Sequence, residues 1–205
     1  EIDEYEPLPE KGAFRKEYGI NEEYIILFLA RINKIKGIDI LVQAFAELLK
    51  EQSSLRLVII GNDDGYLPTL KEQMQELAIE QNITLTGFVS AEMKVAAYVD
   101  AYVYVLPSIY ESFGMTVLEA CICSTPVVIT DRCQIAPLVK DNFGLVVPYD
   151  KDRLKEALSE ILRDDEMRTR FGETGRTMVR EKFSASYCTG QTENLYKQVI
   201  EKQNG

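Results

Sequence analysis

The stretch that decides the fold is YIILFLARINKIKGIDILVQAFAELLKEQSSLRLVIIG, residues 24–61. It begins and ends with the almost wholly apolar runs YIILFL and LRLVII, and between them apolar residues recur at helical spacing from Ile38 to Leu49. A strand that is buried on one face alternates polar and apolar residues, whereas these runs are apolar throughout. The stretch therefore predicts a strand, a helix and a second, parallel strand in a sheet that is covered on both faces.

The same alternation of short apolar runs and amphipathic segments continues through residue 148. It predicts an α/β fold, in which a doubly wound Rossmann-like parallel sheet of about six strands has helices on both faces and a C-terminal helical tail. Strands are predicted at 24–29, 55–61, 83–87, 101–107, 126–130 and 144–148, and helices at 37–51, 67–80, 90–98, 114–123, 150–162, 165–181 and 185–202. Residues 1–12 are acidic and carry Pro7 and Pro9, which predicts a linker, and residues 13–205 form one predicted domain.

The composition excludes several classes of protein and of site. Of the 205 residues, 46% are hydrophobic, so the chain is globular and not disordered. The 33 acidic and 23 basic residues give a net charge of −10, and no basic stripe is present, so no nucleic-acid partner is expected. The chain has no histidine, which excludes Ser-His-Asp and Cys-His catalysis and histidine-ligated metal sites within it.

The cysteines and the hydropathy pattern indicate where the protein resides. Cys121, Cys123, Cys133 and Cys188 form no C-x-x-C pair, and the first two lie in an apolar run that is typical of a core. Free thiols without a signal peptide predict the cytoplasm, and no apolar stretch approaches the ~20 residues of a membrane span. Because the chain begins at Glu1 and not at Met, we expect it to be a piece of a longer protein.

Cations follow the first predicted strand. The guanidinium of Arg31 fits phosphate oxygens in pairs, and Lys36 offers a mobile point charge. Gly37 begins a helix whose first amides add positive potential. Because ligands of open α/β sheets bind at the carboxyl ends of the strands, this loop suits a diphosphate, although solvated surface cations would give the same pattern.

The segment ESFGMTVLE, residues 111–119, follows the fourth predicted strand. Gly114 lets the backbone come close to a ligand at the start of a helix. The carboxylate of Glu119 can accept hydrogen bonds from adjacent hydroxyls, as on a ribose, and Glu111 can do the same for a second ring. Both could instead be exposed acids, but Glu119 lies in an otherwise apolar stretch and needs a partner or a ligand.

These residues belong to an ordered set of motifs that covers essentially the whole chain. It resembles the C-terminal half of the family 4 (group 1) retaining glycosyltransferases, enzymes of GT-B architecture. The motifs are PSIYESFGMTVLEACICSTPVVIT at 107–130, ARINKIKG at 30–37, LVIIGNDDG at 57–65, GFVS at 87–90 and GLVVPYD at 144–150. Ile2-Asp3 is similar to the family's link from the N-terminal domain.

The resemblance implies a role for each matching residue. Arg31 and Lys36 bind the donor diphosphate and stabilise the leaving group, and Glu111 contacts the transferred sugar; these three are the implied catalytic residues. Glu119 holds the ribose hydroxyls. The other implied donor-binding residues are Phe113, Gly114 and Met115 at the sugar and phosphate, Phe88 and Val89 at the base, and Gly61 near the nucleotide.

The implied reaction transfers a hexosyl group from a nucleotide diphosphate sugar to an acceptor hydroxyl with retention at the anomeric carbon. No metal or other cofactor is implied, and Asp150-Lys-Asp152, formally a D-x-D motif, is better interpreted as a helix cap. The family's acceptor site and a functional histidine lie in an N-terminal domain, so this chain alone should bind the donor weakly and transfer nothing.

The basic residues of the helical tail allow peripheral contact with the inner face of a membrane that carries a lipid acceptor. A solvated helix face explains these basic residues better.

Several positions depart from the family's pattern. Ala30 and Ser124 stand where glycines are usual, and Cys133 and Ala136 replace the residues that commonly follow the fifth strand. These departures leave open a non-catalytic scaffold or partner-binding domain that keeps the fold. A third reading is another GT-B-like enzyme, such as a sugar-nucleotide epimerase. The sequence does not specify the base, the sugar or the acceptor.

Overall fold

In the computed structural model, which describes residues 5–140 and 142–203, six parallel strands form one sheet. The strands are β1 (Tyr24–Leu29), β2 (Leu55–Ile60), β3 (Ile83–Gly87), β4 (Val103–Leu106), β5 (Val127–Thr130) and β6 (Gly144–Val147). Their order across the sheet is β3-β2-β1-β4-β5-β6, so the predicted doubly wound α/β fold is confirmed. The Ile2-Asp3 match lies outside the described residues.

Helices cover both faces of the sheet. They are α1 (Ala13–Tyr18), α2 (Ile38–Glu51), α3 (Leu67–Glu76), α4 (Ala91–Asp100), α5 (Met115–Ile122), α6 (Ala136–Val139), α7 (Lys151–Arg163), α8 (Asp165–Lys182) and α9 (Ala185–Gln203). α2 packs against α3 and α7, whereas α4 packs against α1 and α5, and α5 packs against α8. α2 connects β1 to β2, whereas α4 connects β3 to β4, which lies in the opposite direction across the sheet. Because both connections are right-handed, the two helices lie on opposite faces.

The sequence did not predict α1 or α6. α1 is short, and its first amides are capped from a distant part of the chain: Gly12 and Arg15 donate their backbone N–H groups to the Asp100 carboxylate at 2.5 and 3.0 Å. Asp100 is buried at the end of α4, so this contact exists only in the folded chain. α6 is a single turn of four residues, too short to leave a periodic pattern.

Two helices end in the Schellman motif with a residue other than glycine in the left-handed conformation. The helix predicted to reach residue 80 ends at Glu76, because Ala78 has φ +54° and the Ile79 N–H bonds to the Met74 carbonyl. In the same way, Ser124 follows α5 with φ +61°. Glycine is usual at this position, so the sequence of α3 carries no stop signal.

We predict that Ser124→Gly stabilises the protein by about 0.5–1 kcal/mol, because glycine removes the cost of a left-handed φ. Ser124 is exposed, so the substitution costs little packing. The free energy of unfolding in urea measures the effect, with Ser124→Ala as the control that keeps a Cβ. A Ser124→Gly variant that is no more stable than Ser124→Ala would contradict the explanation.

The helical tail places most of its basic side chains beside acids. Arg163 pairs with Glu51, Arg168 with Asp165, and Arg176 and Arg180 with Glu6, while Arg170 lies over the ring of Phe171. α9 exposes an apolar stripe that contains Leu195, Tyr196, Val199 and Ile200. Within the described residues, no helix is both long enough and apolar enough to cross a membrane.

Main-chain hydrogen bonds tie the loops at the carboxyl ends of the strands into one rim. The order of the strands reverses between β1 and β4, which is where open α/β sheets bind ligands. At this point the Ile109 N–H donates to the Ile35 carbonyl at 2.8 Å. The rim continues through Gly61 N–H to Gly87 O, Ile32 N–H to Asn62 O, Gln134 N–H to Glu111 O and Asp131 N–H to Val147 O, at 2.8–3.0 Å.

Gly37 lies in van der Waals contact with the end of β4. A Cβ atom at Gly37 would stand 1.7 Å from the Pro107 carbonyl oxygen and 2.6 Å from its carbon. The residue also has φ +69°, a conformation that side chains disfavour. The start of α2 can approach β4 this closely only because residue 37 has no side chain.

We predict that Gly37→Ala destabilises the protein by about 2 kcal/mol more than Gly87→Ala does, because the Pro107 backbone must shift. Gly87 is a matched control, since its φ is +68° and a Cβ there would have nothing within 4 Å. Both variants bear the same left-handed φ, so the difference between their unfolding free energies in urea reports the steric term alone. Equal losses would show that the contact with Pro107 is relaxed at little cost.

Candidate functional site

Lys36 and Glu111 form an ion pair at the reversal point of the sheet. The Lys36 Nζ lies 2.5 Å from the Glu111 Oε2, and the two side chains are 17% and 14% exposed. Lys36 follows β1 and Glu111 follows β4, and the bond between Ile35 and Ile109 holds their loops together. Both residues were predicted to lie at the carboxyl edge of the sheet, and the structure brings their charged groups into contact.

The segment after β5 supports Glu111 through the main chain. Glu111 donates its N–H to the Arg132 carbonyl at 3.3 Å and accepts at its own carbonyl from the Gln134 N–H at 2.9 Å. Cys133 lies between them, buried, and burial raises the pKa of its thiol. Because these bonds use backbone atoms, the departure from the family's pattern at Cys133 leaves the support of Glu111 in place.

Arg31 pairs with an acid that the sequence analysis did not single out. Its Nη1 lies 2.6 Å from the Asp64 Oδ2, and the Arg31 side chain is 69% exposed. The Asn33 amide also donates to Asp64, at 3.1 Å. A pair this exposed contributes little stability, so Arg31 can exchange Asp64 for a phosphate. Asp64 follows β2, and it comes within reach of Arg31 because β2 neighbours β1 in the sheet, an order that the sequence pattern alone did not predict.

Glu119 contacts a different cation, on α4. The Lys94 Nζ donates to its Oε1 at 3.0 Å, and the Tyr98 hydroxyl donates to its Oε2 at 3.1 Å. Glu119 was expected to need a partner because it is a lone acid on an apolar helix, and Lys94 and Tyr98 are its partners. No sequence pattern identified Lys94, because the contact joins residues 25 positions apart on two different helices.

The start of α5 lies beside Glu111. Gly114 precedes the helix with φ +81°, and a Cβ there would stand 3.6 Å from the Glu111 Cγ. The first amides of a helix have no partner within it and attract negative charge. Phe113 and Met115 are exposed, and together with Glu119 and Lys94 they line a cavity of about 510 Å³.

The remaining predicted donor-binding residues lie on the loops after β2 and β3. Gly61 is close to the β1 loop, because a Cβ there would stand 1.9 Å from the Ala30 carbonyl oxygen. Ala30 is not among the described non-glycine residues with positive φ, so alanine fits the backbone where the family usually has glycine. Phe88 is largely exposed, and Val89 packs against the core.

The cations and acids of the candidate site are thus distributed over three ion pairs, Lys36–Glu111, Arg31–Asp64 and Lys94–Glu119. Within residues 5–140 and 142–203, no three cysteine, aspartate or glutamate side chains are grouped as metal ligands. The Asp150 carboxylate accepts from the N–H groups of Asp152 and Arg153, which confirms that the D-x-D sequence caps α7.

Comparison with known proteins identifies one family. The family model described as glycosyl transferases group 1 matches residues 10–178. The chain is 29% identical over 191 residues to the alpha-D-kanosaminyltransferase of Streptomyces kanamyceticus, covering 92% of this chain and 49% of the relative. It is 31% identical over 195 residues to an uncharacterized glycosyltransferase of Methanocaldococcus jannaschii, covering 94% of this chain and 50% of the relative.

Solved structures share the fold. The Anabaena protein HepE in complex with UDP-glucose superimposes with a TM-score of 0.85 at 19% identity, over 96% of this chain and 55% of that one. The C-terminal domain of a group 1 glycosyl transferase, LpcC from Francisella tularensis, gives a TM-score of 0.81 at 21% identity, over 90% of this chain and 98% of that one. This chain spans about half the length of the two curated relatives.

Proposed function

The chain belongs to the group 1 glycosyltransferases, and on this premise we propose that it is the donor-binding half of a retaining hexosyltransferase. Its substrate in this proposal is a nucleotide diphosphate sugar, and its product is a hexosyl group joined to an acceptor hydroxyl. The observation that carries the proposal is the Lys36–Glu111 pair at the reversal point of the sheet, where a cation and an acid are in contact and largely shielded from solvent.

Lys36 and Arg31 supply the positive charge for the diphosphate. The two residues flank the turn between β1 and α2, and each is paired with an acid that can release it. Lys36 is shielded from water on most of its surface, so its charge acts strongly on a phosphate oxygen that replaces Glu111. In the transition state the bond to the sugar breaks and charge develops on the diphosphate, which these cations stabilise.

Glu111 and Glu119 bind the two sugar rings on either side of the diphosphate. When the diphosphate occupies Lys36, the Glu111 carboxylate accepts hydrogen bonds from hydroxyls of the transferred hexose. Glu119 accepts from the ribose hydroxyls. The backbone of Phe113, Gly114 and Met115 donates to the sugar and the phosphate at the start of α5.

Gly61, Phe88 and Val89 border the nucleotide and its base in the same proposal. The proposed reaction uses no metal or other cofactor, since Arg31 and Lys36 neutralise the leaving group. Support for a nucleotide sugar as the ligand comes from the Anabaena relative in fold, whose structure contains UDP-glucose.

The second partner in the proposal is the protein's own N-terminal domain, which supplies the acceptor site of a cytoplasmic enzyme. The relatives are about twice as long as this chain, and the apolar stripe on α9 is available to pack against further protein. We therefore expect the 205-residue chain to bind donor and to transfer no sugar. Product analysis with a labelled nucleotide sugar measures sugar transfer. Transfer by this chain at an ordinary enzymatic rate would contradict the proposal that the acceptor site lies in the N-terminal domain.

We predict that Lys36→Ala weakens binding of a nucleoside diphosphate by about 10- to 150-fold, the usual effect of losing a charge-assisted hydrogen bond. Arg31→Ala should weaken nucleotide binding by an amount near the lower end of this range, because solvent screens the charge of the more exposed Arg31 side chain. Calorimetric titration with UDP, GDP and ADP measures the affinities.

Arg163→Ala is the matched control for Arg31→Ala. The Arg163 side chain is 73% exposed against 69% for Arg31, and it pairs with Glu51 away from the proposed site. The control should leave affinity unchanged. If the folded protein binds none of the three nucleotides, the proposal fails and the non-catalytic scaffold becomes the better account of the fold.

A further inference from the structure

Glu119 receives one hydrogen bond on each carboxylate oxygen from α4. Lys94 donates to Oε1 and Tyr98 donates to Oε2, so the plane of the carboxylate is determined by two donors from one helix. A carboxylate oxygen can accept two bonds, which leaves each oxygen able to accept one more. Two adjacent acceptors of this kind match two adjacent hydroxyls.

We propose that Lys94 and Tyr98 are positioning residues, which orient the Glu119 carboxylate toward the two ribose hydroxyls of the donor. This inference rests on the proposed function, in which Glu119 binds the ribose. Neither residue needs to touch the nucleotide. Their effect is to keep Glu119 in the conformation that presents both oxygens together.

Lys94 is itself held in place. Its Nζ donates to the Tyr5 hydroxyl at 3.0 Å and lies 5.4 Å from the centroid of the Tyr5 ring, in addition to its bond with Glu119. A flexible lysine gains little from a single surface contact, whereas an ammonium with several fixed neighbours keeps one position. Tyr5 lies in the acidic lead-in and is buried, so this segment contributes to the arrangement.

Tyr98 is a fixed donor. Its side chain is completely buried, and burial raises the pKa of its hydroxyl well above the usual range. The hydroxyl therefore stays protonated and donates a hydrogen bond to Glu119. The Thr125 hydroxyl donates to the Tyr98 carbonyl at 2.7 Å, which anchors this turn of α4 to the residues after α5. The spacing between the two helices is thereby fixed at the point where Glu119 and Tyr98 meet.

The arrangement predicts a specific defect when Lys94 is removed. Glu119 would lose its only charged partner in the described structure, and its side chain could turn away from the ribose. The diphosphate contacts depend on Lys36 and Arg31, which are positioned by other loops. Recognition of the ribose should therefore weaken while recognition of the diphosphate is kept.

The test compares a ribonucleoside diphosphate with its 2′,3′-dideoxy analogue by calorimetric titration, using whichever of UDP, GDP and ADP binds the unmodified chain most tightly. We expect the unmodified chain to prefer the ribonucleotide by at least about tenfold, since two hydrogen bonds to a carboxylate are at stake. Lys94→Met should reduce this preference to about twofold or less, with little change in affinity for the dideoxy analogue. Lys94→Arg should retain most of the preference, and Tyr98→Phe should reduce it partially.

Lys155→Met is the matched control. The Lys155 side chain is 27% exposed against 28% for Lys94, and its ion pair with Glu51 joins α7 to the end of α2. It should leave the ribose preference unchanged. If Lys94→Met lowers the urea stability so far that the chain no longer folds, Tyr98→Phe, which removes only the hydroxyl that donates to Glu119, takes its place, and a full ribose preference in that variant would overturn the inference.

The outcomes separate the two proposals. A Lys94→Met variant that binds both nucleotides with equally reduced affinity would show a merely structural role, and one that keeps the full preference would overturn the inference. An unmodified chain that binds both nucleotides equally would show that Glu119 does not bind the ribose hydroxyls, and the positioning role of Lys94 and Tyr98 would then be wrong. Failure of the unmodified chain to bind any diphosphate would instead overturn the proposed function.

Discussion

The close approach of Gly37 to the Pro107 carbonyl is the constraint on which the candidate site depends. It brings the start of α2 against the end of β4. β1 and β4 are far apart in the sequence, but they are parallel neighbours in the sheet. The residue before Gly37 is Lys36, and Glu111 follows Pro107 by one short loop. A side chain at position 37 would push these two loops apart, because its Cβ would stand 1.7 Å from the Pro107 carbonyl oxygen. Packing at this glycine therefore brings together the two loops that carry the ion pair.

The charges of the site are balanced by partners within the chain. Lys36, Arg31 and Lys94 each have an acid within hydrogen-bond distance, in a chain whose net charge is −10. Such a chain repels an anion at long range, so the cations act only on a ligand that reaches the crevice. In the proposed function a diphosphate takes the place of Glu111 at Lys36, and sugar hydroxyls take the place of Lys36 at Glu111. Each buried or half-buried charge then keeps a partner, which limits the cost of exchanging one set of contacts for the other.

The sequence predicted the features that depend on local pattern. The buried strands are recognisable because both faces are apolar, and the caps at Ser90 and Asp150 are recognisable because the side chain bonds to amides two or three residues away. α1 was missed because its cap, Asp100, comes from another helix, and the end of α3 was missed because alanine occupies a position that usually requires glycine. The same distinction holds at the site. Lys36 and Glu111 were predicted to share an edge because both follow the carboxyl ends of parallel strands, whereas Asp64 and Lys94 are partners that only the packed loops and helices bring within reach.

The departures from the family's pattern concern the path of the backbone more than the chemistry of the crevice. Ala30 contributes a carbonyl that touches Gly61, Ser124 closes α5 in a left-handed turn, and Cys133 lies between two main-chain bonds to Glu111. In each case the contact uses backbone atoms that every residue possesses. Only Ser124 bears a left-handed φ, so strain arises at that position and not at Ala30 or Cys133. The charged groups that the proposal uses, Arg31, Lys36, Glu111 and Glu119, are meanwhile present, and each is paired with an opposite charge. At the reversal point of the sheet, the Lys36 and Glu111 side chains are only 17% and 14% exposed, and apolar residues there would stabilise a scaffold at least as well. The Lys36–Glu111 pair therefore supports the proposed diphosphate ligand over the scaffold alternative.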